Sequence, residues 1–245
     1  MRRVFGLISF ATLVLCGRVA HAEGSNEIDE ARLARGFASL TRPTGIAELG
    51  VGWLTLPGAV VCGSRSAGAG CKKGDTSFEL EAWELYRANL RLAFGAGLML
   101  GLIPTTDTPT TDPEGISRNH NRRYLTLEGM IRHYPWVGEN FEFWWGVTGG
   151  LVVVSDGFTV SGRNQDLALV GQRGVTIRTE GGTIGLAGGA VFSLAPRWSL
   201  GTALRYGNWF LPKQPAKDPL LDEASLTGRT TMFSLGISLA YRIPL

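Results

Sequence analysis

The amino-acid sequence predicts an all-β fold over residues 44–245, an eight-stranded antiparallel up-and-down transmembrane β-barrel. Three observations predict it. From Thr44 onward large apolar residues recur at every second position, the period of a strand whose two faces meet different surroundings. The breaks between these stretches alternate long and short. After residue 22 no apolar run approaches the ~20 residues of a spanning helix, the longest being Leu98–Ile103 and Leu151–Val154.

Residues 1–22 read as a cleaved export signal. Arg2 and Arg3 form a positive start, Val4 to Cys16 an apolar stretch too short to span, and Ala20-His21-Ala22 a cleavage site before Glu23. Leu15 stands where a lipoprotein signal has a small residue before its cysteine, so Cys16 is not read as a lipid anchor. The chain has 24 Lys+Arg against 21 Asp+Glu. Arg2, Arg3 and Arg18 leave with the signal, so the mature chain stands at 21 against 21. With no net positive field, nucleic acid is not an expected partner.

Residues 23–43 form a leader in which Ile28, Leu33 and Phe37 predict a short amphipathic helix stopped by Pro43, with a disordered segment as the alternative. The first strand, 44–56, sets Ala47, Leu49, Val51 and Trp53 against Glu48, Gly50 and Gly52. A Gly-rich loop, 57–77, holds Cys62 and Cys71, the two cysteines of the mature chain. Export places them in an oxidising compartment, and no further Cys or His stands nearby for a metal, so the expectation is a disulfide.

Residues 78–103 run without a breaker, too long for one strand, and are split at Arg87-Ala88-Asn89. The third strand, 90–103, alternates most cleanly: Leu92, Phe94, Leu98 and Leu100 face one way, Ala93, Gly95, Gly97 and Gly101 the other. Small residues on the second face suit a crowded lumen rather than a solvated surface. The remaining strands are 122–134, 141–155, 181–194, 198–211 and 229–243. Their connections are long at 57–77, 104–121, 156–180 and 212–228, and short at 87–89, 135–140 and 195–197. An even strand number with short turns at one end and long loops at the other is the pattern of membrane-spanning barrels.

The inward charges follow from this register: Glu48, Arg91, Glu128, Arg132, Glu142, Arg205 and Arg242. Glu84 falls outward by strict alternation, and a bulge in the second strand is expected to turn it inward and Trp83 and Leu85 outward, keeping a carboxylate out of lipid. Four Glu and four Arg then face one another in an ion-paired plug. Arg132 with Glu142, and Glu128 with Arg91 or Arg205, are the pairs this register suggests.

No catalytic constellation stands out, and the chain is read as a non-enzyme without cofactor. His120, near Ser117 and Glu114, has the residue types of a nucleophile–base pair, but three common residues in a polar loop carry no motif. His133 lies beside Tyr134 and Trp136, as in an interfacial aromatic belt. Asp107, Asp112, Glu114 and Asp156 lack calcium-loop spacing. Gly50-Val51-Gly52-Trp53 misses by one residue the G-x-W of soluble lipocalin-like barrels.

Two stretches carry a family resemblance: Gly185 to Gly201, with its Ala195-Pro196-Arg197 turn, and the final strand, with Leu239, Tyr241, Ile243 and Leu245 at alternate places. In both, the chain resembles the small OmpA/OmpX-type outer-membrane β-barrel proteins, although it ends on Pro244-Leu245 rather than Phe. The resemblance implies a barrel in outer-membrane lipid of a Gram-negative-type cell, inserted by the barrel-insertion machinery through its last strand. The reading is then a scaffold that presents external loops, with an envelope-integrity or surface-contact role. The alternatives are a small porin-like ion or solute channel, a lipid-modifying enzyme, and a soluble lipocalin-like binding barrel.

Overall fold

The computed structural model describes residues 43–61, 72–101, 105–107, 117–161, 174–217 and 223–245. Eight long strands follow one another: β1 (Thr44–Thr55), β2 (Thr76–Asn89), β3 (Leu92–Gly101), β4 (Ser117–Val137), β5 (Phe141–Ser161), β6 (Gly174–Ser193), β7 (Trp198–Phe210) and β8 (Arg229–Pro244). Each pairs antiparallel with the next, and β1 pairs with β8 through Val51↔Ile237 as well as with β2 through Val51↔Leu80. The ring is closed, so no wall strand is left with an unpaired edge along its full length. Short ladders join Val60–Val61 to Lys72–Lys73, and Thr105–Asp107 to β4.

The alternation is inside out by the standard of a soluble protein. Leu49, Leu151 and Ile184 stand outward with at least 60 % of their surface exposed, while Glu128, Arg132 and Arg205 are buried inside. Among the described residues thirty-one large apolar side chains are exposed, far beyond the isolated ones of a soluble surface, and those on the wall strands form one continuous belt. Trp136, Phe143, Trp145, Trp198 and Phe192 edge that belt at the short-turn end, and Trp53, Phe78 and Phe210 at the other. This is the lipid-facing surface of a transmembrane barrel. A soluble lipocalin-like barrel would need the opposite arrangement, and that alternative is set aside.

The small inner residues fit large neighbours. A Cβ on Gly97 would overlap the Trp83 ring, and one on Gly189 would come within 2.9 Å of Trp144. Gly-rich inner faces on β3 and β6 therefore let two tryptophans lie flat inside the wall. Gly228 takes a left-handed φ of 71° where the segment before β8 turns back, and the hydrogen bond from Leu211 N to Gly228 O, 2.9 Å, closes its base.

Several expectations need correction. No bulge occurs at Glu84: the β1–β2 register runs unbroken through Ala47↔Glu84, and the shift lies at Arg87/Asn89 in the β2–β3 pairing. Trp83 and Leu85 are the buried residues, and Glu84 faces outward and exposed. The space that Gly97 leaves for Trp83 is the physical reason. Nor does Arg87 mark a turn. It points inward, buried, so β2 continues to Asn89 and the reversal falls on Leu90-Arg91. Three segments read as parts of loops, 117–121, 156–161 and 174–180, are strand, because their period of two continues past the apolar belt. Residues 1–42, with the signal and most of the leader, and both cysteines lie outside the described residues.

Candidate functional site in the closed lumen

The inward side chains of the wall meet in tiers. Nearest the short turns, Arg87 Nη1 donates to Glu142 Oε2 at 2.8 Å while Arg242 lies 3.2 Å from Glu142 Oε1. Arg87 also donates to the Leu90 carbonyl at 2.6 Å, tying the ion pair to the turn, and its guanidinium sits 4.2 Å from the Tyr134 ring centre. Above this, Arg132 grips Glu48 with both Nη atoms, at 2.7 and 2.8 Å, and lies 4.0 Å above the Trp144 ring. The paired fork geometry is the strongest form of this contact. Next, Arg205 pairs with Glu128. Trp83 Nε1 donates to Glu81 Oε2 at 3.2 Å, and Ser234 Oγ donates to Glu79.

The order of strands explains what these pairs do. Glu48–Arg132 joins β1 to β4, Arg87–Glu142 joins β2 to β5, Glu128–Arg205 joins β4 to β7, and Glu142–Arg242 joins β5 to β8. Each partner is three strands away around a ring of eight. The pairs are therefore chords across the interior rather than ties along the wall. A cavity of about 10 Å³ remains between Glu48, Glu81, Arg132 and Arg205, room for about one water.

Above the chords Leu54, Leu56, Tyr124, Trp209, Leu226 and Met232 form an apolar layer. Leu226 comes from residues 223–228, just before β8, which fold into the mouth. There Asp156 collects the bonds: the Ser225 backbone N at 3.0 Å, Ser225 Oγ at 2.5 Å, His120 Nε2 at 2.8 Å and Arg122 Nε at 3.4 Å. Arg122 also donates to Asp75 at 3.0 Å, and Tyr124 OH donates to the same carboxylate. His120 stacks on Phe158 with ring centres 4.4 Å apart. Asp156 lies beyond the apolar belt, since the outward positions after Val153 are Ser155, Gly157 and Thr159. Burial there disfavours its charged form, yet the hydrogen bonds from His120 and Ser225 and the Arg122 charge hold its carboxyl below the usual carboxylate range.

Of the eight charges read as inward, the structure places Glu48, Glu128, Arg132, Glu142 and Arg205 buried in the lumen and Arg242 at its short-turn mouth. Glu84 and Arg91 are corrections. Glu84 faces outward, and Arg91 is exposed in the turn before β3. Glu128 takes Arg205 and not Arg91. Arg132 does not pair with Glu142. On the ladder Arg132 faces Gly146 and Glu142 faces Val137, so four residues of strand, about 13 Å, separate the two.

Residues the sequence reading missed are Glu79, Glu81 and Arg87, and at the mouth Asp75 and Arg122, while His120 and Asp156, read there as polar loop residues, belong to the same buried cluster. Strict alternation from Trp83 would have found the first three, since they share its parity. The inward parity of Glu128 and Arg132 within the fourth strand would have found Arg122, and extending the period of the fourth and fifth strands outward would have placed His120 and Asp156 beside it. His120 meets Asp156 rather than a nucleophile, while Glu114 and the Ser117 side chain lie outside the described residues. His133 packs against Trp145, ring centres 5.5 Å apart, among the belt aromatics. Among the described residues no group of three His, Cys, Asp or Glu is placed to hold a metal ion.

No protein family matches the chain, and no curated protein matches it in sequence. Solved structures match in shape. A major outer membrane protein from Thermus thermophilus aligns over 82 % of this chain and 99 % of its own, with TM-score 0.52 and 16 % identity. Neisserial surface protein A aligns over 82 % and 97 %, with TM-score 0.45 and 11 % identity. Outer membrane protein OprG from Pseudomonas aeruginosa aligns over 84 % and 99 %, with TM-score 0.37 and 14 % identity. At these identities the likeness is one of fold, and the Thermus protein carries it: this chain has the fold of a small outer-membrane β-barrel.

Proposed function

We propose that the chain is an outer-membrane scaffold with a largely plugged lumen, which presents its long loops outside the cell in an envelope-integrity or surface-contact role. The observation that carries this reading is the set of chords. Arg132–Glu48, Arg205–Glu128 and Arg87–Glu142–Arg242 fill the interior at three levels, with an apolar layer above them. A pore would leave these charges lining water. In this barrel they meet one another, and eight strands leave room for little else. Residues 1–22 serve as the export signal, and the alternation through Tyr241 and Ile243 supports delivery to the barrel-insertion machinery. His120 and Asp156 have no solvent exposure, which favours a structural part for them over a hydrolytic one.

Planar-bilayer recordings of the refolded protein test the plug. Wild type is expected to show no steady conductance, and Glu128→Ala is expected to be less stable by ~3–5 kcal/mol, the usual cost of stranding one member of a buried pair. Steady nanosiemens conductance from wild type would promote the channel reading. In the first long loop Cys62 and Cys71 are expected to be joined, so thiol labelling of the native protein should find neither free.

A further inference from the structure

We propose that the outer rim over β4, β5 and β6 binds the phosphate headgroup of an outer-leaflet lipid whose acyl chains lie on the belt below. This rests on the membrane reading above. Three residues share one ladder row across these strands: Arg123 stands opposite Ser155, and Ser155 opposite Arg178. All three face outward, and both arginines are exposed. With strands about 4.8 Å apart, the two arginine Cα atoms lie about 10 Å apart with the Ser155 hydroxyl between them. Two extended guanidinium groups can therefore converge on one phosphate, which they recognise by paired N–H donors.

What lies below commits the site to a lipid. Directly beneath Arg123 on the same face come Leu125 and Leu127, 39 % and 56 % exposed, and beneath Ser155 come Val153 and Leu151. This apolar strip ends where the cations begin, as the division between acyl chain and headgroup requires. Among the described residues neither Arg123 nor Arg178 has an ion-pair partner. The barrel's buried acids point inward and cannot neutralise them. Among the described residues Glu180, outward on β6 opposite Val153, is the nearby competitor. Being exposed, it discounts Arg178 weakly and leaves Arg123 untouched.

Electron spin resonance of spin-labelled lipids around the refolded barrel tests the site, comparing phosphatidic acid with phosphatidylcholine in vesicles of phosphatidylcholine. Wild type is expected to prefer phosphatidic acid by about fivefold or more, as two membrane-surface cations allow. Arg123→Gln with Arg178→Gln should reduce that preference to near unity, and Glu180→Gln should raise it. Inorganic phosphate in excess should not abolish the preference, because the acyl chains share in the binding. Equal selectivity in wild type and the double variant, or full competition by inorganic phosphate, overturns the proposal while the protein remains inserted. Absence of any motionally restricted lipid overturns the membrane reading itself, and the site with it.

Discussion

At the short-turn end of the lumen Glu142 is held from two sides by Arg87 and Arg242, all three carried by strands of the wall. At the outer mouth Asp156 is held by the wall residues His120 and Arg122 but also by Ser225, which belongs to the segment between β7 and β8. The chemistry is similar, a buried carboxylate surrounded by donors. The mechanics differ. A chord between two wall strands is lost only when the barrel deforms, whereas a bond to an inserted segment can open while every ladder stays intact. The short-turn half should therefore report global stability and the mouth only local opening.

The comparison breaks most visibly at Arg132. Arg132→Ala leaves Glu48 buried without its partner and should cost ~3–5 kcal/mol in urea unfolding of the vesicle-inserted barrel. Changing both members, Glu48→Gln with Arg132→Met, should cost less than the single substitution, since no charge is then stranded. The outer face of the wall gives the next effect: Leu98→Arg, near the middle of the lipid-facing belt, should cost ~2–4 kcal/mol and impair insertion, read by the folded fraction on heat-modifiable gels.

At the mouth the expected effect is smaller and differently placed. Ser225→Ala removes one donor to Asp156 and should cost about 1–3 kcal/mol. Hydrogen exchange should speed up at residues 223–228 while the amides of β2 and β5 near the short turns stay protected. Faster exchange throughout the barrel would erase the distinction between the two regions. The smallest effect concerns pH. Because the folded Asp156 carboxyl titrates below its unfolded value of about 3.9, its contribution is complete above that value and fades as pH falls through the lower one. Exchange in 223–228 should be insensitive to this group between pH 8 and 5 and rise only in stronger acid.

The wall was readable and its contents less so. Leu92, Phe94, Leu98 and Leu100 against Ala93, Gly95 and Gly97 give one strand and both its faces, because the side-chain period of a strand depends on nothing beyond the strand. At Glu84 the same period holds even though it leaves a carboxylate on the outer face. Trp83 lies inside instead, because Gly97 on the next strand vacates the space, and that fact requires knowing which residues stand side by side. Arg87-Ala88-Asn89 reads as a turn for a related reason. A polar triplet has the same composition whether it meets solvent or a buried Glu142.

Strand number, antiparallel order and the inward parity of Glu48, Glu128, Arg132 and Arg205 follow from local alternation and the spacing of the breaks. The partner each charge takes does not. Arg132 reaches Glu48 three strands away rather than Glu142 on the neighbouring strand, because the stagger of the closed sheet brings the distant residue level and leaves the near one about 13 Å along the ladder. The fold of 223–228 into the mouth is settled in the same way. Ser225 finds Asp156 only once β4 and β5 have carried His120, Arg122 and Asp156 beyond the belt, and a buried carboxylate there needs every donor within reach.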